Sequence, residues 1–151
     1  MSLPAVTFTL LPASHPQKRK RAVTDTRGKS KLMGLTYIKA TVINPADPSK
    51  RLKVEFLVDS GAMYSVVPKT ILRRLGIRSR ETKTFTLADG TDITRKVGNA
   101  FFSLDDSERA SPIIFGEKGD TPLLGMVTLE ALGYILDPIR RELRPLPMVL
   151  G

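Results

Sequence analysis

The 151-residue sequence has no cysteine, no tryptophan and a single histidine. Without cysteine there is no disulfide, no thiolate metal site and no cysteine nucleophile, and a reducing cytoplasm is a compatible setting. His15 stands alone in a basic N-terminal stretch, so Ser–His catalysis and histidine-based metal centres have no material. No glycine-rich phosphate loop opens a helix. Asp105, Asp106 and Glu108 cluster, but they lack the ligand spacing and the glycine of a calcium loop. No metal and no cofactor are therefore expected. No run approaches the roughly 18 apolar residues of a membrane span. The basic cluster Lys18, Arg19, Lys20 and Arg21 follows the mildly apolar start, the wrong order for a secretory signal. The expectation is a cytoplasmic protein with no membrane partner.

What is present is enough for one domain with an apolar core. The net charge of +9 is uneven. Residues 1–33 carry seven cations (Lys18, Arg19, Lys20, Arg21, Arg27, Lys29, Lys31) against Asp25, a local +6, which leaves +3 for residues 34–151. This first stretch, rich in Pro, Ser and Thr and without sustained periodicity, reads as a basic disordered arm. Met33, just before the first good strand, offers an alternative start. Clustered Lys and Arg suffice to attract phosphate, but short basic runs are most often solvated tails, and no nucleic-acid partner is expected.

From residue 34 the texture is that of strands. Residues 37–43 alternate, residues 44–48 are dense in turn formers, and residues 52–58 end in an apolar run that implies burial on both faces. Pro68 suits the first turn of a short helix with an Ile71, Leu72, Leu75 stripe, closed by Gly76. Residues 82–87 and 91–97 flank Ala88, Asp89 and Gly90, a hairpin signal of the Asp-Gly type. Residues 100–104 and 112–115 read as two further short strands. Met126, Leu129 and Leu132 give helical spacing that ends at Gly133. Residues 134–136 form a strand, and Pro145 and Pro147 break a last extended segment. The sum is a mainly β domain with two short helices, a barrel or a sandwich.

One segment carries chemistry. In Phe56-Leu57-Val58-Asp59-Ser60-Gly61-Ala62 a carboxylate ends an apolar strand, a costly placement unless the group is paired or working. Taken alone Asp-Ser-Gly is a weak signal, because an ordinary turn uses the same residues. Its company is more specific. The segment resembles the Asp-Ser/Thr-Gly-Ala signature of aspartic proteases, and Leu123-Leu124-Gly125 resembles their second signature, two apolar residues and a glycine opening a helix. The order of elements over about residues 34–148 is similar to that of retropepsin-like enzymes, particularly the prokaryotic branch.

The resemblance implies a half-barrel acting as a homodimer. The motif occurs once, so the second carboxylate of the catalytic pair would come from a second copy across a two-fold axis. Asp59 would be the general base or acid, Ser60 would hydrogen-bond across the axis, and Gly61 would let the backbone approach partner and substrate. Leu123, Leu124 and Gly125 would support the loop from beneath. The hairpin at Ala88, Asp89 and Gly90 would be a flap over a peptide or protein substrate, with Val66, Leu87 and Ile93 as candidate pocket walls. Met63 and Tyr64 stand where retroviral enzymes carry acids, and Met126 stands where they carry arginine, so both partners of that ion pair are absent together. The expected function is an aspartic endopeptidase. A catalytically silent peptide-binding or dimerisation module of the same fold is the alternative, and a nucleic-acid binder led by the basic arm is the third reading.

Overall fold

The computed structural model describes residues 35–147, and before them only the two-residue strands β1 (Val23–Thr24) and β2 (Ser30–Lys31), which pair antiparallel. The expected arm, residues 1–33, otherwise lies outside the described residues, as do residues 148–151.

The first hairpin joins β3 (Thr36–Asn44) to β4 (Asp47–Val58). The turn is tighter than its five turn-forming residues suggest, because β4 already begins at Asp47. Asn44 makes the corner: its Oδ1 accepts the Ala46 N–H at 2.7 Å, while its buried Nδ2 donates to the Leu75 carbonyl at 2.7 Å. Along β4 an exposed first half gives way to the buried run Phe56, Leu57, Val58, the two-sided burial expected of that segment.

The remaining strands of the main sheet are β5 (Ser65–Pro68), β6 (Glu81–Thr86), β7 (Asp92–Leu104), β8 (Ser107–Gly116) and β9 (Leu123–Leu124). Their order is β3-β4-β9-β5-β8-β7-β6, and β3 pairs also with β7 through Thr41–Ser103, Val42–Phe102 and Ile43–Phe101. That pairing closes six strands into a barrel, which decides between barrel and sandwich, and leaves β6 paired to β7 outside the ring. The two short strands expected at 91–97 and 100–104 are one strand. Gly98 between them marks a close approach, since a Cβ there would meet the Arg78 carbonyl and the Phe115 ring at 3.1 Å.

Two short helices pack on the barrel. Helix α1 (Lys69–Arg74) starts after Pro68, which is its N-cap and the last residue of β5, not part of the first turn. Gly76, at φ +74°, stops it as expected, and the N–H groups of Gly76 and Ile77 close on the Arg73 and Leu72 carbonyls. Helix α2 (Met126–Leu132) ends at Gly133, φ +89°. Its buried face is Thr128, Leu129 and Leu132 rather than the Met126, Leu129, Leu132 stripe, so a hydroxyl enters the core where a thioether was expected. Strands β10 (Tyr134–Asp137) and β11 (Glu142–Pro145) form a separate ladder ending at Pro145.

The larger apolar cluster fills the barrel beneath both helices, with Phe56, Leu72, Phe102, Ile113, Leu124 and Leu129 among its members. A second, smaller cluster of Leu57, Ala62, Val66, Phe85, Ile114 and Leu123 joins the loop after β4 to the β6–β7 hairpin. No helix among the described residues is long and apolar enough to cross a membrane.

Candidate active site

Asp59 follows directly from the buried end of β4. Strand β4 runs parallel to β9, with Leu57 opposite Leu123 and Val58 opposite Leu124. Leu57 N–H donates to the Pro122 carbonyl at 3.0 Å, and Asp59 N–H donates to the Leu124 carbonyl at 3.1 Å. The two segments singled out in the sequence, whose paired residues are 66 positions apart, are thus the two strands of one parallel ladder. Beyond this ladder the chain turns sharply. Asp59 Oδ1 accepts the Gly61 N–H at 2.8 Å, and the Asp59 carbonyl accepts the Ala62 N–H at 3.1 Å. The side chain of Asp59 is half-buried, while Ser60, Gly61 and Met63 are exposed.

The underside of this loop is bonded to α2. Met126 N–H donates to the Ala62 carbonyl at 2.8 Å and Val127 N–H to the Met63 carbonyl at 3.0 Å. The first N–H groups of a helix have no partner within it, so here they anchor the aspartate loop. Gly125 makes the approach possible: a Cβ would lie 2.7 Å from the Tyr64 carbonyl carbon and oxygen and 2.8 Å from the Met63 oxygen. These are backbone atoms that cannot yield cheaply.

Sequence reasoning missed three hydroxyls. Ser65 Oγ accepts the Gly125 N–H at 3.0 Å and lies 2.5 Å from Thr128 Oγ1, which is 2.7 Å from Ser111 Oγ. All three residues are buried. The chain of hydroxyls links the aspartate loop, α2 and β8 and satisfies polar groups that would otherwise be costly. A polar residue among apolar neighbours was the available signal, at Ser65 before Val66 and at Thr128 within the α2 stripe.

Strands β6 and β7 form the hairpin expected around Ala88, Asp89 and Gly90. Its loop is three residues, Ala88, Asp89 and Gly90, closed by Leu87 N–H to the Thr91 carbonyl at 2.7 Å and Gly90 N–H to the Leu87 carbonyl at 2.9 Å. Only Gly90 has positive φ, at +89°, which corresponds to a turn plus a left-handed glycine and not to the two-residue Asp-Gly form. The tip is exposed, whereas the strands next to it pack on the aspartate loop through the second cluster, with Tyr64 edge-on to Phe85 at a centroid distance of 6.4 Å. Val66 is fully buried and forms the floor beneath half-buried Leu87 and Ile93, so of the three candidate pocket walls only the latter two reach the surface.

An ion pair that sequence reasoning missed joins the hairpin to the segment entering β9. Arg95 Nε and Nη2 donate to the two carboxylate oxygens of Asp120 at 2.8 and 3.0 Å, and Asp120 Oδ2 also accepts the Glu117 N–H at 2.7 Å. The Asp120 bond holds the Arg95 guanidinium above its ordinary pKa. Two residues 25 positions apart leave no local trace in a sequence. Among the described residues no group of three His, Cys, Asp or Glu side chains is placed to hold a metal.

The arrangement therefore offers one half-buried carboxylate at the end of a buried ladder, backed by β9 and α2 and flanked by exposed Ser60, Gly61 and Met63. Comparison with known proteins agrees with this reading at the level of family. Residues 40–128, which include both signature segments, match the model of the family described as aspartyl protease. The chain is also similar to the crystal structure of a retropepsin-like aspartic protease from Rickettsia conorii, at 22% identity over 77% of this chain and 82% of that one, with a TM-score of 0.47. No protein of curated function matches. With the family match spanning more than half of its length, the chain belongs to the aspartyl protease family.

Proposed function

We propose that this protein is an aspartic endopeptidase whose working form is a homodimer, with Asp59 of each copy contributing one carboxylate. The observation that carries the reading is the single Asp59 loop: its backbone is bonded to β9 and α2 on one side, and Ser60, Gly61 and Met63 are exposed on the other. One carboxylate is half of the machinery for peptide hydrolysis, and a two-fold axis at the exposed side supplies the other half from the same gene. Ser60 is exposed beside Asp59, where a hydroxyl can bond to a partner copy. The hairpin tip at Ala88, Asp89 and Gly90 acts as the flap over bound peptide, and Leu123, Leu124 and Gly125 position the loop.

Two carboxylates at close range share one proton because both cannot ionise together, an established property of aspartic-protease dyads and not a result of this geometry. The ionised group takes a proton from water as the water oxygen bonds to the peptide carbonyl carbon. The protonated group gives its proton to the carbonyl oxygen. Collapse of the tetrahedral intermediate breaks the C–N bond: one of its hydroxyls gives a proton to the ionised carboxylate as the carbonyl re-forms, and the proton of the other carboxyl passes to the leaving nitrogen, so the pair again holds one proton.

The test is cleavage of a mixed peptide library across about pH 4–7, a range that brackets coupled carboxylates, by wild type and Asp59→Asn, with sedimentation to establish the dimer. Cleavage by wild type, abolished in Asp59→Asn while fold and dimer persist, is the expected result. A dimeric wild type that binds peptides without cutting them, equally in the variant, points instead to a peptide-binding module.

A further inference from the structure

The positive charge of the folded domain is concentrated in one segment. Residues 34–151 have a surplus of only +3, yet between Arg73 and Lys83 five cations (Arg73, Arg74, Arg78, Arg80, Lys83) face Glu81 alone, a local +4. The four arginines are exposed, and none of the five cations takes part in a salt bridge among the described residues. Like charges held this close repel one another and are maintained at some cost to stability.

The part of this segment from Gly76 to Lys83 lines two hollows. A hollow of about 380 Å³ lies between the β3–β4 corner at Pro45 and Ala46 and the Arg78 and Arg80 side, with Ile77 and Asn99 in its wall. A second, of about 180 Å³, shares Arg80 and Asn99 with the first and continues past Lys83 to Tyr64. Shared walls make the two hollows one trough. Its far end is the aspartate loop itself, since Tyr64 stands five positions after Asp59 and its carbonyl abuts Gly125.

We propose that this trough docks an acidic segment of the polypeptide substrate, so that charge grips the chain away from the scissile bond while the bond lies at Asp59. The inference rests on the proposed protease function and extends it to a substrate class. Apolar walls (Ala46, Ile77, Val97, Pro112) stand among Arg78, Arg80 and Lys83, three cations against the one acid Glu81, which suits a polypeptide of mixed acidic and apolar side chains. Nucleic acid is the poorer fit, because Tyr64 is the one aromatic side chain lining the trough and its ring packs against Phe85, leaving no stacking platform for bases. With a Debye length of about 8 Å at physiological salt, these cations act on a ligand in contact and weakly beyond it. Single exposed pairs contribute little, but a complementary row sets specificity and association rate.

The test reads binding on the Asp59→Asn protein, so it does not depend on cleavage. Fluorescein-labelled peptides of equal length, one alternating Glu and Ala and one alternating Ser and Ala, are titrated by anisotropy at low and high salt. The acidic peptide should bind more tightly and lose affinity with salt. Arg78→Glu with Arg80→Glu should weaken it about tenfold or more, by analogy with charge reversals at complementary interfaces. Arg109→Glu with Arg140→Glu makes the same charge change at other exposed positions and should weaken it less than about twofold. Circular dichroism monitors folding, and Arg78→Gln with Arg80→Gln replaces the reversal if that variant unfolds. Equal weakening by the two double variants, or no preference for the acidic peptide, overturns the proposal. Tighter binding of single-stranded RNA, lost in the same trough variant, overturns it in favour of nucleic acid. A wild type that cuts no library peptide counts against the protease and leaves the binding result to be judged on its own.

Discussion

Two aspartates in this chain make the same local bond in different surroundings. Asp59 Oδ1 accepts the N–H two residues on, from Gly61, at 2.8 Å, and Asp89 Oδ1 accepts the N–H two residues on, from Thr91, also at 2.8 Å. Each is the ordinary way in which an aspartate shapes a turn. Asp89 stands at an exposed hairpin tip, whereas Asp59 is half-buried above a fully buried Ala62, with α2 donating two N–H groups to the loop and Ser65 accepting a third from Gly125. The turn motif does not distinguish the two; the support beneath does. A carboxylate whose position is fixed from below is pre-organised for chemistry, while one fixed only by its own turn is suited to an element that moves.

Removing that support should have the largest effect on stability. Gly125→Ala drives a Cβ to 2.7 Å from the Tyr64 backbone, so either the loop or α2 must shift. Overpacking of this kind costs about 3 kcal/mol, and urea denaturation should show a loss of that order. A Gly125→Ala protein of wild-type stability would mean that the loop is not held from below as described.

The hydroxyl chain offers a gentler break. Thr128→Val keeps the shape of the side chain and leaves the buried hydroxyls of Ser65 and Ser111 without their shared partner. The expected loss is about 1–3 kcal/mol. Thr128→Ser restores the hydroxyl and should recover much of it. On the outer side of the same loop, exposed Ser60→Ala should change the stability of the chain by less than about 0.5 kcal/mol. Equal losses at Thr128 and Ser60, read by the same denaturation, would erase the contrast between the two sides.

What could be read in the sequence follows from the range of the interactions involved. Strand and helix identities came from local patterns, and so did the stops at Gly76 and Gly133, because positive φ is a property of one residue. Asp59-Ser60-Gly61 and Leu123-Leu124-Gly125 were both legible as motifs; that they share one parallel ladder is tertiary. Pairings across long separations had no local trace. The β3–β7 contact that closes the barrel, the Arg95–Asp120 pair and the Ser65–Thr128–Ser111 chain all depend on register between strands distant in sequence. Thr128 shows the difficulty in miniature. At helical spacing Met126 was the natural third member of the stripe, and only the Ser65 and Ser111 hydroxyls opposite make a buried threonine the better choice.

The smallest effect separates the two aspartates by pH. The Thr91 backbone N–H, and next its side chain, hold the Asp89 carboxyl below the ordinary aspartate value of 3.8. A carboxyl whose pKa is lower folded than unfolded contributes stability that is complete above the unfolded value and is lost as pH falls through the folded one. The turn should therefore keep its bond throughout the pH 4–7 range of the cleavage assay and loosen only in stronger acid. The Thr91 amide resonance reports this directly: its chemical shift should titrate with a midpoint below 3.8, and Asp89→Asn should abolish the titration. A midpoint at or above 3.8 would mean that the carboxylate does not hold the turn, and the hairpin tip would then owe its shape to Gly90 and the strand pairing alone.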